Sequence, residues 1–363
     1  MRERSLIQGT ILTAVLLASA PAAAQDAAKT DVKKEYVDVK IAAPEKDHEG
    51  LEISIKAGAT MSINDSRSVL GQPDGLGFTF GIKFDGAAIY QRNDHEWRTG
   101  VTMNQMLSRT PAIPEFIKTA DVFGLESTYL FFYRPWVGPF VRYTLSTPLF
   151  RSFDVRPVPT TYRVTRPDGT AYTLESQRLT LAEPLRPMTM KESIGPFLRP
   201  LDKEQINMEI RAGLGALQTL AAGSFAIKDD AKTPEVEVNE LKDIFQLGLE
   251  ASFEIWGMLL EKRISYKVAT GLLIPSARSA QEAGDTRSAL ELTNVEFGAA
   301  LSFRLVEWAT LDYELRVLRQ PQLTEALQVR NGMMLTLGLG YTNKPPPPTV
   351  KAAAPPEKPA TTR

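Results

Sequence analysis

Cysteine is absent from the 363 residues and histidine occurs only twice. Without a thiol there is no disulfide, no lipid-modified cysteine, no thiolate metal site and no cysteine nucleophile. Two histidines are too few for a multi-histidine metal centre. A basic surplus is also missing. The 42 Lys and Arg stand against 43 Asp and Glu, a formal net charge of -1, so nothing in the charge points to a nucleic-acid partner. No apolar run reaches the roughly 20 residues that a helix needs to span a bilayer. These absences argue against most hydrolases and metalloenzymes, and no cofactor is expected.

What is present begins with an address. Met1-Arg2-Glu3-Arg4 is followed by an apolar stretch from Leu6 to Ala18, then Pro21-Ala22-Ala23-Ala24 and Gln25. A basic start, a short apolar segment and an Ala-x-Ala site make a secretory signal peptide, residues 1–24, cleaved after Ala24. Residues 25–49 are rich in Lys, Glu, Asp and Ala without periodicity and read as a flexible leader. Residues 344–363 hold Pro345-Pro346-Pro347-Pro348 and Pro355-Pro356, an extended spacer rather than a core-forming segment. Such a tail suits contact with peptidoglycan or a periplasmic protein. No repeat of 20–50 residues is visible.

Between these ends, residues 50–343 alternate with period two, the mark of strands with one apolar face. Val295, Phe297, Ala299, Leu301, Phe303 and Leu305 oppose Glu296, Gly298, Ala300, Ser302 and Arg304. Leu76, Phe78, Phe80, Ile82 and Phe84 oppose Gly77, Thr79, Gly81, Lys83 and Asp85. These runs exceed the usual strand length of about 5–6 residues, and their polar faces are rich in Gly, Ser and Thr. Long alternating strands in an exported chain predict an all-β fold, a transmembrane antiparallel up-and-down barrel.

Strands are predicted at 51–63, 76–91, 96–107, 121–133, 137–149, 206–220, 244–258, 263–274, 290–306, 310–318 and 332–342. Bacterial single-chain barrels have even strand numbers and short periplasmic turns. Tight connections at Asn93-Asp94-His95, Arg134-Pro135-Trp136, Leu260-Glu261-Lys262 and Glu307-Trp308 fall on one side only if one more strand lies between Leu149 and Ile206. The segment 170–182, after the turn signal Arg166-Pro167-Asp168-Gly169, is taken as that strand. About twelve strands result, with both termini periplasmic. Trp97, Trp136, Trp256 and Trp308 lie near those turns and Tyr341 closes the last strand, which predicts a periplasmic aromatic girdle.

The pattern resembles bacterial outer-membrane β-barrel proteins. Glu240 through Ala269, with Gln246-Leu247-Gly248-Leu249-Glu250-Ala251 and Leu260-Glu261-Lys262-Arg263, is similar to an uncharacterised family of that class. The resemblance implies residence in outer-membrane lipid and insertion by the barrel-assembly machinery, which often reads a terminal aromatic residue. Here Tyr341 is internal and the chain continues to Arg363.

The strand parities send Glu52, Asp85, Glu126, Glu209, Glu250, Glu254, Glu296, Asp312 and Glu314 into the lumen. With them go Lys56, Lys83, Arg98, Arg142, Arg211, Arg263, Lys267, Arg304 and Arg316. A lumen balanced in charge points to acid–base pairs across strands rather than to a ring of one sign. The expectation is a non-enzymatic, narrow passive pore or structural membrane component, narrow in itself or closed by Phe150–Tyr162 folding inward. Two alternatives are a soluble periplasmic barrel that binds an apolar ligand and an outer-membrane hydrolase. For a hydrolase only His48 and His95 could serve as base. Asp94-His95-Glu96 reads as a solvated turn. Asp229-Asp230 with Glu235, Glu237 and Glu240 reads as a solvated acidic loop, with divalent-cation binding as the alternative.

Overall fold

A computed structural model describes residues 49–66, 75–110, 113–227, 233–279, 286–322 and 324–343. The leader with His48, the tail beyond Asn343, and Asp229-Asp230 lie outside the described residues. Sixteen strands and no helix make up the described chain. They are β1 (Gly50–Ser66), β2 (Gly75–Arg92), β3 (His95–Thr110), β4 (Ile113–Phe131), β5 (Val137–Thr147), β6 (Ser152–Thr165), β7 (Ala171–Ala182) and β8 (Met188–Lys203). The second half holds β9 (Ile206–Leu220), β10 (Phe225–Ile227), β11 (Val236–Glu240), β12 (Ile244–Leu259), β13 (Ile264–Arg278), β14 (Asn294–Val306), β15 (Ala309–Gln320) and β16 (Thr324–Thr342).

Twelve of these strands close into an antiparallel barrel, in the order β1-β16-β15-β14-β13-β12-β9-β8-β5-β4-β3-β2. The closing seam pairs β1 with β16, from Ser54 opposite Thr342 to Ala59 opposite Leu337. Closure leaves no edge strand, so the ladder satisfies the backbone amides and carbonyls all the way round. The start of β1, the end of β16 and the five tight turns after β2, β4, β8, β12 and β14 share one rim. The other rim carries the longer connections.

The twelfth barrel strand corrects the sequence reading. It is β8, Met188–Lys203, which pairs with β5 and β9; the segment 170–182 contributes β7, which stays out of the barrel. Pro196 and Pro200 interrupt the alternation of β8, and Ile194, Pro196 and Leu198 face outward where a proline ring is tolerated. Gly195 and Gly213 meet across the β8–β9 pair. A Cβ on either would lie 2.0 Å from a carbonyl oxygen of the facing strand, so only glycine permits that approach.

β6, β7, β10 and β11 form a separate sheet at the rim of long connections, in the order β10-β11-β6-β7, with β11 parallel to β6. The segment Phe150–Tyr162, expected to fold into the lumen, instead leads into β6, which pairs with β7 and β11 and with no barrel strand. Alternate residues Tyr162, Val164, Leu179, Leu181, Ile227, Val236 and Val238 make a small core of their own. Inside it the Tyr162 hydroxyl donates to Asp154 Oδ2 at 2.9 Å, and Arg156 Nε donates to the same oxygen at 2.8 Å. Burial and the Asp154 carboxylate push the Tyr162 phenol well above its ordinary pKa, so it keeps the proton it donates. The connection from β5 to β6 is tied to β4: Asp121 accepts from the amides of Leu149 and Phe150 at 3.0 and 2.8 Å, and Lys118 Nζ donates to the Phe150 carbonyl at 2.6 Å.

Replacing Tyr162 by Phe removes one of the two donors seen at buried Asp154 Oδ2, a loss of about 1–3 kcal/mol confined to the outer sheet. Faster hydrogen exchange at Val236–Val238, with unchanged heat-modifiable gel mobility of the barrel, is the expected outcome.

Candidate functional site

Alternation along each barrel strand sorts side chains by chemistry. On β12, Phe245, Leu247 and Leu249 are exposed on the outside, whereas Gln246, Glu250 and Glu254 are buried on the inside. The outward row of β16 is Met333, Leu335, Leu337, Leu339 and Tyr341, and that of β1 includes Leu51, Ile55 and Met61. The barrel thus turns its greasy face out and its charges in, the reverse of a soluble barrel.

The inward charges gather into one buried cluster towards the tight-turn rim. Glu209 on β9 is its hub. Its Oε2 accepts from Arg199 Nη2 on β8 at 2.8 Å and from Arg98 Nη2 on β3 at 3.2 Å, while Oε1 accepts from Arg211 Nε at 2.6 Å. Glu96 bridges Arg98 and Arg199, accepting from Arg199 through both oxygens at 3.1 Å and from Arg98 Nε. The chain continues through Arg211 Nη1 to Glu254 Oε1 at 2.9 Å, and Lys267 reaches Glu254 Oε2 at 3.2 Å. Arg142 stands 2.8 Å from Glu126 and 3.8 Å from Glu254. Seven neighbouring strands, β3, β4, β5, β8, β9, β12 and β13, contribute to this web. Glu96, Arg98, Arg199, Glu209 and Arg211 are each at most 5% exposed, so the web excludes water from its part of the lumen.

Aromatic rings pack against the web. Arg199 lies 4.9 Å from the Phe132 ring centre, and Arg98 lies 6.0 Å from that of Trp256. Trp256 shares the parity of Glu250 and Glu254 and so belongs to the lumen, which corrects its assignment to the outer girdle. Trp97, Trp136, Trp308 and Tyr341 are exposed at the tight-turn rim. Tyr129 and Tyr133 join them there; Trp97 Nε1 donates to Ser127 Oγ at 2.8 Å.

The remaining arc, β14, β15, β16, β1 and β2, holds the other predicted lumen charges except Glu250 and Arg263. Lys83 Nζ stands 3.5 Å from Glu314 Oε1, spanning two intervening strands, and Arg316 Nη2 stands 2.6 Å from Glu296 Oε1. Asp312 accepts from the hydroxyls of Thr310 and Thr336 at 3.3 and 3.1 Å and from that of Ser302. Asp85, on the inward parity of Lys83, and Glu52 lie on this arc half-buried, while Lys56 and Arg304 are exposed. Towards the other rim, Lys191 Nζ pairs with Glu250 Oε1 at 2.8 Å. A cavity of about 20 Å³, room for one water, lies beside it against Leu217, Leu273, Asn294, Glu296 and Gln320.

Arg263 does not enter the lumen: it ends the exposed β12–β13 turn, where Leu260, Glu261 and Lys262 take positive φ. Glu96, Lys191 and Arg199 belong to the lumen and escape the sequence reading. Glu96 has the parity of Arg98, a signal that its place beside a turn obscured. Lys191 and Arg199 lie on the strand the sequence did not reveal. Exchanging Arg263 for these three leaves the two signs in balance. His95 Nδ1 lies 2.6 Å from the Tyr129 hydroxyl at the tight-turn rim, exposed on the opposite face of β3 from the buried Glu96. Glu237 accepts from the Thr233 hydroxyl. Among the described residues no group of three or more His, Asp or Glu could hold a metal ion.

No family model and no curated protein matches the chain. Among solved structures it is similar to the translocator domain of the autotransporter NalP from Neisseria meningitidis, at 8% identity over 82% of this chain and 90% of that one, TM-score 0.34. It is also similar to a mutant of the monoaromatic hydrocarbon channel TodX, at 8% identity over 82% and 91%, TM-score 0.34. A third likeness is to an outer membrane channel from Pseudomonas putida F1, at 12% identity over 83% and 99%, TM-score 0.31. Likeness at this depth carries no argument about activity.

Loss of the hub leaves buried guanidinium groups facing one another. Glu209→Gln is expected to cost about 3–5 kcal/mol, the price of stranding a buried charge, read as a lower urea midpoint for loss of heat-modifiable mobility. Lys262→Ala, which breaks the exposed pair with Glu204, is expected to shift stability by less than about 1 kcal/mol.

Proposed function

We propose that the chain is an outer-membrane β-barrel that catalyses no reaction and serves as a narrow passive pore. The carrying observation is the inversion of the barrel: a continuous apolar exterior around a charged interior. Monomeric soluble proteins rarely expose contiguous apolar patches beyond a few hundred Å². Rows from Leu51 on β1 to Tyr341 on β16 run the length of the wall, and exposed aromatics ring its tight-turn end. Lipid is the solvent that makes such a surface stable.

Short turns and aromatic rings at one rim, together with the signal peptide read from the sequence of residues 1–24, support placing that rim and both chain ends in the periplasm. The Pro-rich tail then emerges where peptidoglycan or a periplasmic partner is within reach. Insertion by the barrel-assembly machinery follows from the same placement. The ligand-binding alternative is less well supported, because an apolar ligand would meet guanidinium and carboxylate groups inside. The hydrolase alternative has its one described histidine on the outer face beside Tyr129, away from the buried acids.

Purified protein in a planar bilayer is expected to give small single-channel steps, and to need detergent for extraction. A monodisperse species in buffer without detergent would overturn the membrane assignment, and a silent bilayer would overturn the pore. For the orientation of the wall, Leu249→Arg is expected to cost about 2–4 kcal/mol if its outward site meets the hydrocarbon midplane, while inward Ser252→Thr is mild. Unfolding from lipid vesicles checks the pair, and equal tolerance at both positions would contradict the orientation.

A further inference from the structure

The two sides of the lumen differ in their access to water, and the division follows strand order. On the arc from β3 to β13, inward residues are closed off: Thr128 is 1% and Ser193 is 5% exposed, like the guanidinium and carboxylate groups around them. On β14, β16 and β1 small residues stand between the inward charges of the remaining arc. Gly298, Ala300 and Ser302 come from β14, Thr336, Gly338 and Gly340 from β16, and Ser54, Gly58 and Thr60 from β1. Most of these are half-exposed although they face the interior. The side chain of Glu314, in the middle of β15, is 45% exposed while it pairs inward with Lys83. An inward carboxylate can be that open at mid-strand only if the lumen is hollow beside it.

We infer that the water column through the barrel runs off-axis, confined to the arc β14–β15–β16–β1–β2, and that the Lys83–Glu314 bridge is where passing ions are read by sign. The inference rests on the pore reading and names its path and its cargo, small hydrated ions. The bridge crosses the path: Lys83 sits opposite Gly58, which sits opposite Gly338, while Glu314 sits opposite Ala300 and Gly332. Those register partners have little or no side chain to reach up to the bridge, and the floor they form is close-packed, so the open side of the path is the one onto which the Glu314 carboxylate is exposed. A Cβ on Gly58 would come 2.4 Å from Thr336 Cγ2, and one on Gly338 would come 2.4 Å from the Ala57 carbonyl. A half-exposed carboxylate and an ammonium on one narrow path favour neither ion strongly, and removing one leaves the other to select.

The absence of native cysteine allows a direct test. Ala300→Cys and Thr60→Cys on the open arc, and Ser193→Cys and Thr128→Cys on the closed one, are treated with a charged methanethiosulfonate, each variant first shown to retain heat-modifiable mobility. Thiol reaction follows exposure, so the first two are expected to react about tenfold faster or more. Similar rates on both arcs, or faster reaction on the closed arc, would overturn the off-axis column whether or not the wild type conducts. A silent wild type, by contrast, strikes at the pore reading alone. In a salt gradient Glu314→Gln is expected to move the reversal potential towards anion preference and Lys83→Met towards cation preference. Reversal potentials unchanged in both would remove the sign-reading role of the bridge.

Discussion

A carboxylate that satisfies three guanidinium groups holds the interior of this barrel together. Glu209 is fully buried and touches Arg98, Arg199 and Arg211, residues of three strands that are not all neighbours in the barrel. The constraint behind it is the inverted wall. Once apolar residues claim the exterior, every inward charge must find its partner within the lumen or be left in a poorly solvated space. Coulomb attraction at about 4 Å and an effective dielectric near 20 is roughly 4 kcal/mol before desolvation, enough to matter only when partners are shared and well aligned. Sharing is what the web achieves, since Glu96, Glu209 and Glu254 each serve more than one cation.

The web also explains why the barrel has two kinds of wall. Arginine and glutamate side chains are long, and those of β3, β8, β9 and β12 meet across the strands between them, filling their side of the lumen. On the opposite side, β14, β16 and β1 carry glycine, alanine, serine and threonine between their inward charges and fill less of theirs. The brace and the free space are therefore two results of one distribution of side-chain size. Closure of the sheet depends on small residues as well, with Gly195 and Gly213 allowing β8 and β9 to approach where any Cβ would clash.

Much of this was legible in alternation alone. The all-β barrel, its even count and the gathering of tight turns on one rim follow from the period of two and the loop parity. That reasoning required one more crossing between Leu149 and Ile206 but could not choose the segment. It selected 170–182, where alternation is clean, over 188–203, where prolines and Lys191-Glu192 blur it. Clean alternation in β7 serves a different core: Leu179 and Leu181 pack on Tyr162, Val164 and Val238 in the outer sheet. A period of two reports that one face is buried, not against what. The same ambiguity placed Trp256 in the girdle, because nearness to a turn was weighed above the parity it shares with Glu254.

Charge balance, read from sequence, suggests a lumen neutral in sum, and the structure shows that neutrality is not uniform in depth or direction. Where pairs are buried, as in Glu209 with its arginines, they act as struts, and each charge is largely offset by its partners before a solute meets it. Glu314 differs, because its side chain is half open to water while its partner Lys83 is largely buried, so its carboxylate is within reach of an ion that comes close. A barrel can therefore be strongly braced and weakly selective at once, because the charges that stabilise it are not the charges a solute meets. Adding a strut on the open arc would strengthen the wall only by narrowing the path, so the small inward residues of β14, β16 and β1 set the limit on how far bracing can extend around the lumen.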